Sequence, residues 1–189
     1  MFKNALLMTL SLAMPSVFAT QNINLYQAPL DSLKDFNQSA IAQDSSRAAK
    51  TPGANALKEV NTSFQGKQDI IRYQQTYQGV PVVGAQVTVT RQHGLARASD
   101  AKAEVNGHLQ KDIQINIKPD FDGKKAVEFA KKDYFSTHPD LKTQDEKAEL
   151  QIRPITGDEL QLVYLVSFKS LDTDLKPVWP FYVIDAHSG

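Results

Sequence analysis

The chain has 189 residues, with 21 basic and 21 acidic side chains and no cysteine. Charge this balanced gives it no electrostatic reason to seek nucleic acid or an anionic membrane. The missing thiols exclude disulfides, cysteine nucleophiles, cysteine zinc sites and thiol redox chemistry, so the fold rests on its apolar core alone.

Residues 1–19 read as a secretory signal peptide. Lys3 precedes the largely apolar run Ala5–Phe18, and Val17-Phe18-Ala19 supplies small residues at cleavage spacing. The run is too short and too weakly flanked for an anchor, and no second run of spanning length follows, so a secreted or periplasmic chain is predicted, with no membrane association after cleavage. Pro29–Ile41 predicts a short helix with Leu30, Leu33 and Phe36 on one stripe and Asp31 and Asp35 toward the favourable end of its dipole. Gln38–Asn55 is polar and contains Pro52-Gly53, which reads as a connection.

Ala56–Gln65 predicts a first strand, Gly66-Lys67 a turn and Asp69–Gln78 a second strand. In that second strand Ile71, Tyr73 and Tyr77 alternate with Arg72, Gln74 and Thr76, the period of a half-buried strand. Gly79 tolerates positive φ and Pro81 pushes Val80 toward extended geometry, so Gly79-Val80-Pro81 should turn the chain and restart it. Val82–Gln92 is a third strand with Ala85, Val87 and Val89 opposite Gln86, Thr88 and Thr90; Gly84 inside it predicts a bulge or a close backbone approach. His93-Gly94 marks a corner, Leu95–Val105 a loop or weak strand, and Asn106-Gly107 a hairpin turn by residue type. Ile113, Ile115 and Ile117 predict a further strand ended by Lys118-Pro119, with a unit boundary near Pro119.

In the second half Asp122 is an N-cap candidate, Phe121 a staple onto Ala126, and Ala126, Val127, Phe129, Ala130 and Tyr134 an apolar helix face running to about Phe135. His138-Pro139 stops that helix. Ala148–Ile155 is a strand, Gly157-Asp158 a turn, and Glu159–Phe168 a strand with Leu160, Leu162, Tyr164, Val166 and Phe168 on one face. Leu171–Pro177 is a polar loop and Val178–Ile184 the last strand.

Ile71-Arg72-Tyr73-Gln74-Gln75-Thr76-Tyr77 followed by Gly79-Val80-Pro81-Val82-Val83-Gly84 resembles the signature of the fungalysin/thermolysin propeptide domain. Leu162-Val163-Tyr164-x-Val166, Pro177-x-Trp179 and Tyr182-Val183-Ile184-Asp185-Ala186-His187-Ser188-Gly189 resemble the PepSY module of thermolysin-like zinc metallopeptidase propeptides, with Ser188 where members usually carry Thr. The resemblance implies an α+β fold of two cystatin-like units, each a helix packed on an antiparallel β-sheet, over residues 20–118 and 119–189. It also implies a propeptide that assists the folding of a metalloprotease catalytic domain, in cis or in trans, and inhibits it. The alternative is a free-standing inhibitor or binding module of the same fold.

Catalytic groups of its own are not expected. The histidines at 93, 108, 138 and 187 never form His-Glu-x-x-His, so no zinc peptidase centre is encoded between Met1 and Gly189, and no cofactor is expected. Asp172-Thr173-Asp174 lacks the glycine and distal glutamate of a calcium loop. Trp179 reads as core. What remains is shape. Arg72, Tyr73, Gln75, Tyr77, Gly79, Pro81 and Gly84 are expected to form the first sheet, with Arg72 a candidate buried and paired cation. Tyr182, Asp185 and Gly189 are expected to aim the exit toward the protease. Each of these residues either maintains the fold or touches the partner. The chain ends at Gly189, which predicts a truncated precursor or a free-standing propeptide-like protein.

Overall fold

A computed structural model describes residues 20–36, 55–92, 102–139, 141–156, 159–171 and 176–189. The predicted signal peptide, the polar connection, the His93-Gly94 corner, the Gly157-Asp158 turn and Asp172-Thr173-Asp174 lie outside them. The strands are β1 (Gln21–Pro29), β2 (Asn55–Gln65), β3 (Gln68–Tyr77), β4 (Val80–Gln92), β5 (Glu104–Lys111), β6 (Gln144–Pro154), β7 (Leu160–Leu171), β8 (Pro177–Val178) and β9 (Phe181–Asp185), with one helix, α1 (Gly123–Thr137), among the described residues. The fold is mixed α+β, dominated by a large, almost wholly antiparallel sheet.

The sheet runs β1-β5-β4-β3-β2 at one end and β6-β7 with β8 and β9 at the other. The two ends meet at one place, where Val82 of β4 pairs in parallel with Ile152 of β6. Two apolar clusters follow from this layout. The first gathers Leu33, Phe36, Leu57, Ile71, Tyr73, Val87, Val89, Val105 and Leu109. The second joins Ala126, Ala130 and Tyr134 of α1 to Ile152, Leu162, Tyr164, Val166 and Phe168, and it also takes in Tyr77, Val82, Ala85 and Ile113 from the first half.

α1 forms as its sequence dictates. Asp122 accepts a 2.9 Å hydrogen bond from the Lys125 amide, the capping that satisfies an orphan donor of the first turn. Its buried face is Ala126, Ala130 and Tyr134, spaced one turn apart. Phe121 packs edge-on against Phe129, with ring centroids 5.3 Å apart, and tilted against Tyr164, so the aromatic neighbours hold the entry to the helix. Across this face Lys131 reaches Glu146 of β6 at 2.8 Å.

Four sequence expectations are corrected. Pro29–Ile41 is not a helix over its described part: β1 runs to Pro29 and only a 3-10 turn at Leu30–Leu33 follows, although Leu33 and Phe36 are buried as the stripe requires. Asn106-Gly107 is not a hairpin turn but mid-strand in β5. A Cβ on Gly107 would sit 2.2 Å from the Gln86 carbonyl oxygen, so glycine is there for close backbone approach. Ile113, Ile115 and Ile117 alternate in burial yet pair with no strand. The last strand is broken at Trp179-Pro180 into β8 and β9, because proline lacks the donor a ladder needs.

Candidate functional site

The corner between β3 and β4 is built by two left-handed residues. Gln78 (φ 48°) and Gly79 (φ 88°) form a two-residue loop between the paired Tyr77 and Val80, the positive-φ geometry that suits the twist of a hairpin. Pro81 is therefore not part of the turn; it lies in β4 opposite Thr76. Beyond it β4 leaves the ladder. Gln74 pairs with Gln86 while Thr76 pairs with Pro81, so Val82–Ala85 bulge outward, helped by Gly84 at φ 79°. That excursion delivers Val82 to β6.

A bulge exposes carbonyls that no ladder partner can satisfy, and the paired glutamines meet this need. The Gln74 amide nitrogen lies 2.6 Å from the Val82 carbonyl oxygen and 3.0 Å from that of Ala85, while its own oxygen accepts from Gln86 at 2.8 Å. Gln75 points the other way, into the protein, and is fully buried. It donates to the Gln110 carbonyl at 2.7 Å and to Asn55 Oδ1 at 2.8 Å, and its oxygen accepts from the Gln110 amide at 2.8 Å. β4 pairs with β5 only as far as Gln86 and His108, so the side chain of Gln75 takes the place of the strand that has departed. Gln110 in turn donates to Asn22 Oδ1 at 2.5 Å, extending the network to β1.

At the other end the chain leaves β9 through a tight turn. Asp185 Oδ1 accepts 2.7 Å bonds from the amides of His187 and Ser188, and Oδ2 accepts from Gln161. These donors favour the ionised form, the Ser188 amide most, and hold the carboxyl below its ordinary range. The Gly189 amide donates to the Asp185 carbonyl at 3.1 Å, and Gly189 lies against the Phe129 ring. His187 Nδ1 stands 3.2 Å from Asp120 Oδ2, and Asp120 also donates its amide to the Ala186 carbonyl at 2.9 Å. The turn is thus fixed to the segment that opens α1.

The predicted residues divide into three groups. Tyr73, Gln75, Tyr77, Gly79, Pro81 and Gly84 gather around the β3–β4 corner, with Tyr73 and Tyr77 buried in separate clusters. Asp185 and Gly189 gather at the exit turn, and Tyr182 packs beneath it, stacked on Phe168 at 5.9 Å between centroids; burial is the main cause raising its phenol pKa. Two residues depart from expectation. Arg72 is exposed, not buried, because it falls on the outward register of β3. Trp179 is 55% exposed, because it sits in the break between β8 and β9 and outside the core. Sequence reasoning missed Asn55, Gln86 and Gln110, polar residues whose roles depend on partners 12 to 35 positions away. Among the described residues, no three His, Asp or Glu side chains are placed to hold a metal, and no helix is long and apolar enough to cross a membrane.

Residues 56–97, which contain β2, β3 and the bulged β4, match the family model described as Fungalysin/Thermolysin Propeptide Motif. The chain carries a fungalysin/thermolysin propeptide motif. Around that motif it is similar to the "Hemagglutinin/proteinase" of Vibrio cholerae, 28% identical over 177 residues, which is 90% of this chain and 28% of the relative. It is 31% identical over 179 residues to the "Neutral protease" of Vibrio proteolyticus, covering 92% of this chain and 27% of the relative. Against the "Virulence metalloprotease" of Vibrio anguillarum it is 33% identical over 125 residues, 63% of this chain and 20% of the relative. The chain therefore spans between a fifth and about a quarter of the length of these relatives.

Proposed function

We propose that this chain is the propeptide of a secreted or periplasmic thermolysin-like metalloprotease, acting as folding assistant and inhibitor of the catalytic domain, in cis or in trans. One observation carries the reading: the propeptide motif falls on the β3–β4 corner, the element that fixes how the two ends of the sheet meet. Two cystatin-like units, at 20–118 and 119–189, follow a signal peptide at 1–19. The two apolar clusters support that division, one covered by Leu33 of the 3-10 turn and by Phe36 just after it, the other by α1.

The physical role is that of a rigid partner. Some secreted proteases are held native by a high unfolding barrier and not by a large free-energy difference. A partner that binds the native-like state preferentially shifts the chain toward it by mass action. The same affinity, kept after folding, blocks the enzyme. The side chains at the corner and exit turn are engaged in holding backbone, which suits a template and supplies no reaction of its own.

The test uses the mature neutral protease of Vibrio proteolyticus. Denatured protease is diluted into buffer with and without a tenfold excess of this chain, and peptide hydrolysis is followed. More activity recovered after the chain is removed, with slower hydrolysis while it is present, is the expected outcome. Equal recovery and equal rates with and without the chain would sink the proposal.

A further inference from the structure

Among the described residues β1, β2, β8 and β9 each pair on one side only, and β8 is just two residues long. Proteins protect such edges with charge, bulges and proline, since a bare ladder invites another strand. β1 is polar, with Gln21, Asn22, Asn24 and Gln27, and is bulged between Leu25 and Ala28. β2 carries Lys58 and Glu59 and is bulged between Glu59 and Asn61. β9 has no bulge, Pro180 precedes it, and its one charge, Asp185, is its last residue and is engaged by the amides of His187 and Ser188. Val178-Trp179-Pro180-Phe181-Tyr182-Val183-Ile184 holds no charge, and β9 pairs with β7 over five consecutive residues without a shift.

The phase of the ladder shows what that edge offers. The Ala186 amide donates to the Leu162 carbonyl at 2.9 Å, so Ile184 and Tyr182 also turn their backbone groups toward β7. The N–H and C=O of Phe181 and Val183 therefore face away from β7, toward the open side. Tyr182 and Ile184 pack on the core under α1, which sends Phe181 and Val183 to the opposite face, 68% and 52% exposed. Trp179 adds a third exposed apolar side chain, and on the side toward β7 and β6 it and Phe181 form the apolar wall of a groove of about 550 Å³ whose other wall carries Asp145, Glu146 and Lys147. Backbone donors and acceptors for one strand and an apolar shelf beside them are the two requirements for strand addition.

We infer that the outer edge of β9 docks a strand of the metalloprotease catalytic domain, main chain to main chain, with Trp179, Phe181 and Val183 beneath the added strand. The inference rests on the propeptide reading above. What selects this occupant over a second copy is the size of the edge. A specific complex between free proteins buries roughly 1,200–2,000 Å², and an edge of five residues supplies a fraction of that. A tethered partner needs far less, because a short linker holds it at millimolar effective concentration. In the Vibrio cholerae and Vibrio proteolyticus relatives the stretch similar to this chain is about a quarter of a single longer protease chain, so the two bodies are covalently joined there.

The experiment compares inhibition of the mature Vibrio proteolyticus neutral protease by the unmodified chain and three variants, each titrated to about 1 mM to replace the effective concentration that a linker supplies. Phe181→Lys with Val183→Lys places charge on the edge. Val183→Pro deletes one outward N–H and leaves the β7 ladder untouched. Val60→Lys, on β2, is the control, and circular dichroism and melting confirm that each variant is folded. At least a tenfold rise in the half-inhibitory concentration for both β9 variants, with Val60→Lys within twofold of the unmodified chain, is expected. Unaltered inhibition by folded β9 variants overturns the docking edge and leaves the propeptide reading standing. No effect of the unmodified chain on either folding or hydrolysis overturns both. Sedimentation showing a dimer that Phe181→Lys with Val183→Lys dissolves assigns the edge to a second copy, and likewise overturns the inference.

Discussion

Replacing Gln75 by leucine keeps side-chain volume close to native but deletes three hydrogen bonds inside the first sheet. The damage falls on Gln110, whose amide and carbonyl are left without partners in a residue only 8% exposed. Each buried backbone group orphaned in this way costs about 1–3 kcal/mol, so the pair implies a loss of about 2–6 kcal/mol. Against a total stability of about 5–15 kcal/mol for an ordinary domain, that is enough to shift the unfolding midpoint far. Urea titration followed by far-ultraviolet circular dichroism is the right assay, since Trp179 is largely exposed and reports weakly on the core. Gln75→Glu adds a sign that leucine cannot. Glutamate keeps an acceptor toward the Gln110 amide but loses both donors, and burial raises its folded pKa above the unfolded value of about 4.3. Its folded state is then favoured below that value and loses ground as pH rises through the raised folded pKa. A leucine variant within about 0.5 kcal/mol of the parent, or a glutamate variant with pH-independent excess destabilisation, would refute the view that this amide replaces a missing strand.

Other expectations are independent of that network. Gly84→Ala meets no atom within 4 Å and suffers only its positive φ, costing about 1–2 kcal/mol by thermal melting; Gly107→Ala drives a methyl to 2.2 Å from the Gln86 oxygen and should abolish soluble, cooperatively melting protein. Glu146 is held down at about 2 by Lys131 and Thr143. A depressed carboxyl contributes above its unfolded pKa, so this pair's share is present above about pH 4.5 and fades toward pH 2. Both side chains are 31% exposed and partly screened by solvent, so Lys131→Met should lose about 0.5–1 kcal/mol at neutral pH and little at pH 2. Asp185→Ala should loosen the exit turn, seen as faster amide exchange at His187 and Ser188, and should cost about 1–2 kcal/mol above pH 4. Because the Asp185 carboxyl is also depressed, that difference should shrink as pH falls.

Periodicity made much of this fold legible. The alternation at Ile71, Tyr73 and Tyr77, at Ala85, Val87 and Val89, and at Leu162 through Phe168 placed β3, β4 and β7, because a sheet with one buried face writes its register into the chain. The Asp122 cap and the face of α1 were equally plain. β1 was not, since the alternation of Ile23 and Leu25 with Asn22 and Asn24 is too short to mark a strand and it forms by pairing with β5, some 80 residues later. Asn106-Gly107 misled because a residue pair suited to a turn also suits a close strand crossing. At the candidate site the glycines and Asp185 could be found from residue type and spacing. Arg72 and Trp179 were misplaced because burial depends on which face a register presents, and on where a proline interrupts it. Gln75 was found, but its partners were not: hydrogen bonds spanning 20 and 35 positions leave no trace in local sequence.

The bulge in β4 has a practical consequence for dissection. Tyr77, Val82 and Ala85 are donated by the amino-terminal half to the carboxy-terminal core, and Ile113 joins them there. A fragment cut at residue 118 would bare these side chains and deprive the other piece of its floor. Chimaeras that exchange carboxy-terminal halves between relatives should therefore succeed only when the Tyr77–Ala85 corner travels with the half it completes, making that corner, and not the proline at 119, the natural joint for recombination.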